Sequence, residues 1–460
     1  MVPTTARSPD ESRWAAALPT AVAVALSALI VTVGADSLWL VAMGRAILHS
    51  GSVLRSVPYA AAPTAGWPNV PVLAEVLFRG LDGALGERGL LIAQLLAVGA
   101  AVRCLTADMR RGGAPPGARL TTVVVVWVGA FAAFTVIRFQ LFSLALFAAL
   151  IVLLRSEARA PSRRIWLVPP LLALWSNLHG AVLVGLAVAG CYLVFERLRR
   201  RPAETLLLVA ASPLALCLTP ALWQTPRYYR GVVENEAARR GVGLWAPLDV
   251  ASGLDLTLLA AAIVLIALAL WARPRLWELV AMAGTAAATV HAARTGVWLL
   301  FLASGPAAVG LGRLRLRRRP RPRSARRYAP AVVVAAALGM IYGIARGPLQ
   351  AVDDHGLVRT AVGLAHGAPV LAEDKLAEEV AAAGGTVWVS NPIDAFRRTD
   401  QQVYLDWLAG RPPGDAALEH TRIAVVVRGH PAQRRLSGDR EFRLVRETRD
   451  ALLYVSAARR

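Results

Sequence analysis

Long apolar runs separated by short basic ones set the pattern of this chain. The apolar runs fall at 14–35, 89–107, 120–137, 141–154, 165–178, 180–195, 203–219, 254–271, 276–291, 297–312 and 329–345. Several approach the roughly 20 residues that carry a helix across a bilayer. The pattern predicts an all-α polytopic membrane protein of about eleven transmembrane helices. The arginines give it a direction. Arg7 and Arg13 precede the first run, Arg110, Arg111 and Arg119 follow the second, and Arg155, Arg159, Arg163 and Arg164 follow the fourth. "RLRRR" follows the sixth, Arg273 and Arg275 the eighth, and "RLRLRRRPRPRSARR" the tenth. Every such cluster therefore shares one side with the N-terminus. By the excess of basic residues in cytoplasmic loops, that side is the cytoplasm. The expected location is a multi-pass protein of the cell (inner or plasma) membrane. A retained first span from Trp14 is expected, because no small-residue cleavage site follows the first apolar run.

The opposite side holds the long polar segments, 36–88 and 220–253, and everything after the last run. Residues 1–345 are expected to form the membrane domain and 346–460 a small extracytoplasmic α/β domain. In that tail, short β-branched runs such as "TVWVSN", "RIAVVVRG" and "ALLYVSA" alternate with helical ones such as "KLAEEVAAAG". It carries no phosphate-binding glycine loop, nucleophile elbow or zinc spacing. "DDH" at 353–355 reads as a polar linker in preference to a metal site.

Composition sharpens this picture in two places. The chain of 460 residues is 56% hydrophobic and 18% charged, with a mean hydropathy of +0.49, outside the range of ordinary soluble domains. Its net charge of +21 resembles a nucleic-acid signal, but Lys375 is the one lysine, and the arginines sit in short loops between apolar runs. No nucleic-acid partner is expected; the bilayer is. Cys104, Cys191 and Cys217 lie in apolar segments and read as small buried residues.

Polar residues at the outer ends are the candidates for chemistry. From Ile165 to Phe195 both flanks are basic, so the chain crosses twice and "SNLHG" is the outer turn. Each arm of about 14–16 residues reaches roughly 21–24 Å, short of the ~30 Å apolar core. The turn is therefore expected at the floor of a wet recess lined by Asn177 and His179. The competing reading is that both residues cap helix ends. Asp36, just past the first run, is either a general base with a raised pKa or the N-cap of the amphipathic helix that follows. Arg138, Arg227 and Arg294 lie where arginine is expected to be scarce. They bind phosphate oxygens, or else pair with Glu234, Glu236 or lipid headgroups. His291 shares a turn with Arg294. Charge is almost lacking at mid-span and towards the inner half, which argues against a transport path.

The order of these residues resembles the GT-C superfamily of membrane glycosyltransferases. The resemblance rests on Asp36 with Trp39, then Gly44, Gly51 with Pro58 and Trp67, "RFQLFS" (138–143), "WSNLHG" (175–180), "TPALW" (219–223) with Trp245, and "HAARTG" (291–296). It runs through nearly the whole chain. The resemblance implies transfer of a sugar from a polyprenyl-phosphate donor to an envelope acceptor outside the cytoplasm, in a single displacement. In it Asp36 is the catalytic base, and Arg138, Arg227 and Arg294 hold the leaving phosphate. Asn177, His179 and His291 line the cavity. Some members use a divalent metal, for which no second acidic ligand is evident here. Two positions depart from the pattern: Leu40 stands where a histidine is usual, and Pro71 where a Glu is usual, with Glu75 further on. These departures keep a second reading open, a catalytically inactive membrane scaffold whose outer tail binds a partner. A transporter is the third.

Overall fold

In the computed structural model the described residues are 9–64, 66–316, 325–349 and 355–457. Asp353 and Asp354 of the "DDH" stretch lie outside them, as does most of the basic run 313–327. Each of the eleven apolar runs holds a helix. Four of these helices are long and apolar enough to cross a membrane by length and composition: Glu87–Arg111, Leu141–Arg159, Gly253–Ala272 and Ala293–Leu314. The helix surfaces expose Leu206, Leu207, Ile263, Val264 and Leu338 to the surroundings, as faces turned to lipid do. Helix Ala325–Arg346 packs against Pro9–Ile30 so closely that a Cβ on Gly343 would lie 2.3 Å from the Ala28 carbonyl oxygen. Only a residue without a side chain permits that approach.

Two predicted spans end early. The first helix, Pro9–Ile30, stops at Ile30 and gives way to a short strand, β1 (Thr32–Val33). The third run ends in a second, β2 (Val136–Ile137), after the helices Pro116–Gly129 and Phe131–Thr135. β1 and β2 pair in parallel, Thr32 with Val136 and Val33 with Ile137. Leu349 joins them, its N–H donating to the Val31 carbonyl at 2.7 Å. Unwound backbone beside a membrane has to be satisfied by protein, and here three chain segments satisfy one another.

The arms around "SNLHG" are shorter still. Helices Val168–Ser176 and Val182–Tyr192 have 9 and 11 residues, roughly 14 and 17 Å. The polar residues of the turn are satisfied internally. Asn177 Nδ2 donates to the Ala173 and Leu218 carbonyls, both at 2.8 Å, and Ser176 Oγ donates to the Leu216 carbonyl at 2.9 Å.

The chain after His355 builds a five-stranded mixed sheet from β3 (Pro369–Ala372), β4 (Thr386–Val387), β5 (Ile423–Val427), β6 (Phe442–Glu447) and β7 (Ala451–Ser456). Their order is β4-β3-β5-β7-β6. β3 is parallel to β4 and β5, and β7 runs antiparallel to β5 and β6. The β4 edge is covered by the first polar segment: Val387 N–H donates to the Tyr59 carbonyl, and Ala61 N–H returns to Val387, both at 2.8 Å. That contact hides an edge that would otherwise invite pairing with another chain.

The other end of the helices adds what the sequence pattern did not predict. The arginines were read as lying in short loops between apolar runs, and there Asp108, Arg155, Glu157 and Arg197 are all at most 5% exposed. Arg155 donates to Asp108 at 2.7 Å and Glu278 at 2.8 Å; Arg197 donates to Glu157 at 3.1 Å and Glu204 at 2.9 Å. Buried charge is tolerated where it is paired, and a hydropathy pattern carries no information about pairing.

Candidate active site

The β1–β2 pairing decides what Asp36 meets. Two further backbone bonds extend the ladder: Gly34 N–H donates to the Ile137 carbonyl at 3.1 Å, and Phe139 N–H donates to the Asp36 carbonyl at 3.0 Å. This register sets Arg138 beside Asp36. Asp36 has φ of 73°, in the left-handed region that Asp tolerates better than most residues. Such a conformation persists only where its surroundings over-determine it.

Asp36 is not the cap of the following helix, Leu38–Ser50. Its Oδ1 accepts from the Trp39 indole N–H at 2.8 Å, and Ser37 Oγ donates to the Gly34 carbonyl at 2.6 Å. The cap comes from the tail. Glu378 Oε2 accepts the N–H groups of Ser37, Leu38 and Trp39 at 3.1, 3.0 and 3.4 Å, while Oε1 accepts that of Asp36 at 2.6 Å. Burial raises the Asp36 carboxyl above its ordinary range; the Trp39 hydrogen bond and the charges of Arg294 and Arg138 oppose this. A carboxyl so placed is a stronger base than a surface aspartate.

Three more acids gather nearby. Glu75 is fully buried; Oε2 accepts from Asn69 Nδ2 at 2.8 Å and Oε1 has no partner. Burial pushes its carboxyl up to about 8. Glu75 is fixed by close packing of two helices: a Cβ on Gly44 would lie 2.1 Å from the Glu75 carbonyl oxygen. Asp394 accepts from the Trp67 indole at 2.9 Å and is raised to about 6, first by burial. Glu378 is raised to about 7, by burial and then by the Asp36 charge.

A cavity of about 1270 Å³ opens beside this cluster, between the helical bundle and the tail. Ala35, Arg138, Gln140, Trp245 and Arg294 line it from the bundle, and Asp374, Ser390, Asn391, Tyr404 and His430 from the tail. The Arg294 guanidinium lies over the Trp245 ring, 3.9 Å from its centroid. Arg138 Nε is buried without a hydrogen-bond partner. Neither arginine pairs with Glu236, which instead binds Arg239, Arg240 and Arg398.

Asp36 sits behind the wall, next to the lining residue Ala35, and the remaining candidates stand apart from the cavity. Arg227 and His291 are exposed, and neither lines the cavity. Asn177 and His179 do not line it either. His179 Nδ1 accepts from Ala181 N–H at 3.2 Å and lies 2.7 Å from Ser143 Oγ, which accepts the Trp175 indole N–H at 2.7 Å. That network assigns Nδ1 as acceptor and the proton to Nε2. Among the described residues no three His, Cys, Asp or Glu side chains converge to hold a metal ion.

Glu378, Glu75 and Asp394 carry no motif that marks them in the sequence, whereas Trp245 belongs to the pattern that carries the resemblance. Glu378 sits in "KLAEEVAAAG", read from the sequence only as a helical run of the tail. The one available signal was that Glu75 stands near the position where the resembled family carries a glutamate.

No family model matches the chain, and no curated protein matches it in sequence. Solved structures match it throughout. ArnT from Cupriavidus metallidurans bound to undecaprenyl phosphate aligns at a TM-score of 0.55 and 13% identity, over 98% of this chain and 99% of that one. The apo form of that protein gives 0.52 at 13% identity, over 97% and 98%. The arabinofuranosyltransferase AftD from Mycobacteria gives 0.50 at 14% identity, over 99% of this chain and 42% of that one. At these identities the likeness is one of fold. The chain shares the fold of ArnT and AftD and is distant from both in sequence.

Proposed function

We propose that this protein transfers a sugar from a polyprenyl-phosphate donor to an acceptor of the cell envelope on the extracytoplasmic face. The carrying observation is that a desolvated carboxyl, Asp36, lies next to two arginines that face a large cavity, one of them with an unpartnered Nε. The bound undecaprenyl phosphate in the ArnT structure supports the choice of donor class. On the reading of eleven crossings with the N-terminus in the cytoplasm, which rests on the arginine pattern of the sequence, this cavity faces outside.

In the proposed step Asp36 takes the proton of an acceptor hydroxyl, and that oxygen attacks the anomeric carbon of the donor sugar. The bond from that carbon to the phosphate oxygen breaks, and the electron pair leaves with the polyprenyl phosphate. Arg138 and Arg294 face the charge that develops there. Tyr404, Ser390 and Asn391 on the tail side offer hydroxyl and amide groups suited to sugar hydroxyls. Arg227 and His291, exposed elsewhere, are given no part in the step.

Because Asp36 must be ionised to act and its pKa is raised, transfer should fall as pH drops through that raised value. The direct test offers a panel of polyprenyl-phosphate-linked pentoses and hexoses to the purified protein and measures release of polyprenyl phosphate. Release that depends on the wild-type protein and is lost in Asp36→Asn supports the reading. Equal release in both, or none with the wild type, overturns it.

A further inference from the structure

We propose that Glu378 is a positioning residue for Asp36: the extracytoplasmic tail supplies, from more than 300 residues away, the carboxylate that builds the N-terminus on which the base is mounted. For the chemical role of Asp36 this rests on the glycosyl-transfer reading; the structural part does not.

The first turn of a helix leaves backbone N–H groups without intrahelical partners, and a nearby side chain ordinarily caps them. Helix Leu38–Ser50 has no such cap, because Ser37 turns its hydroxyl to the Gly34 carbonyl. Four consecutive N–H groups, Asp36 to Trp39, converge instead on the two oxygens of Glu378. Glu378 is fully buried, so water does not compete for those bonds. Negative charge at this end also suits the helix dipole.

The consequence reaches Asp36 by two routes. Its own N–H is held, which helps fix the left-handed backbone. Trp39 is held through its N–H while its indole donates to Asp36 Oδ1. The orientation of Glu378 is itself set by Asn391, whose Nδ2 donates to Oε1 at 2.7 Å and which lines the cavity. Arg45, seven residues past Leu38, ties helix Leu38–Ser50 again to helix Asp374–Ala382, which carries Glu378, by donating to the Ala382 carbonyl at 2.8 Å. A continuous set of contacts thus runs from the tail's cavity wall through Asn391 and Glu378 to Asp36.

The test is amide hydrogen exchange on the full-length protein in lipid nanodiscs, comparing wild type with Glu378→Gln and Glu378→Ala. Exchange at Asp36–Trp39 should rise at least tenfold in Glu378→Ala and at least threefold in Glu378→Gln, which keeps one acceptor oxygen. Helix Leu141–Arg159 should be unchanged. If Glu378→Ala does not fold, Glu378→Gln decides alone; unchanged exchange at 36–39 in a folded variant overturns the proposal. With whichever donor the wild type consumes, Glu378→Gln should cut turnover at least tenfold and leave the dissociation constant for undecaprenyl phosphate within twofold. Loss of both in parallel would mean that the cavity as a whole has deformed, and would overturn the positioning role. If the wild type consumes no donor, the glycosyl-transfer reading fails, while the exchange data still decide whether Glu378 builds this helix end.

Discussion

Helix Leu276–His291 joins two polar clusters built on opposite rules. At its start, Glu278 belongs to a network in which Arg155 is held by two carboxylates and by the Leu302 carbonyl. Just past its end, roughly 24 Å away along the axis, Arg294 faces a cavity beside Asp36. The first cluster balances charge and closes its hydrogen bonds. The second gathers four carboxyls, leaves Arg138 Nε unpartnered and holds Asp36 in a left-handed conformation. Unsatisfied groups and strain concentrate where a protein keeps an arrangement for use in place of stability. The contrast separates these two clusters by physics, although both contain arginine.

Substitution should break the two clusters differently. The largest effect on function is expected at the cavity: Asp36→Asn should lower transfer about 10²–10⁴-fold, the range of a lost general base, with stability held or raised. The largest effect on stability is expected at the other end. Arg155→Met leaves Glu278 buried without its cation and Asp108 with Arg159 alone, and should cost about 3–5 kcal/mol, seen as a sharp drop in the unfolding temperature. Replacing all three by apolar residues of similar volume should recover most of it, which would show that the network is structural.

A smaller effect tests the cavity's acids. Glu75 titrates near 8 when folded and near 4.5 when unfolded, so between these values the folded state holds the extra proton. Stability should therefore fall as pH rises from about 4.5 to about 8. Glu75→Gln should flatten that slope and gain on the order of 2 kcal/mol at pH 8. The smallest expected change is at Trp245. Removing the ring under Arg294 in Trp245→Leu should weaken undecaprenyl phosphate binding by the ~0.5–2 kcal/mol of a cation–π contact, measured by titration in detergent.

The apolar runs were legible because a helix in lipid must be apolar along much of its length, and that requirement is local. The α/β character of the tail was legible for the same reason: "RIAVVVRG" and "ALLYVSA" became β5 and β7. Asp36, Arg138 and Arg294 stood out as charge beside apolar runs on the side poor in arginine. What brings them together was hidden. β1 and β2 lie inside runs whose composition suits a helix equally well, and their pairing joins residues more than 100 positions apart. The N-cap reading of Asp36 failed because local spacing offered Asp36 as the cap, while the actual cap, Glu378, is distant in the chain. Arg155 was read only as part of a basic cluster, and its partner Asp108 was not singled out, because hydropathy scores each residue alone and pairing is a property of two.

The most direct test of the account is binding of undecaprenyl phosphate to wild type, Asp36→Asn and the double variant Arg138→Gln/Arg294→Gln, by native mass spectrometry of the detergent-solubilised protein. The account predicts retention by wild type and Asp36→Asn and at least tenfold weaker binding by the double variant. Equal binding by all three would place the lipid phosphate elsewhere and contradict the assignment of this cavity.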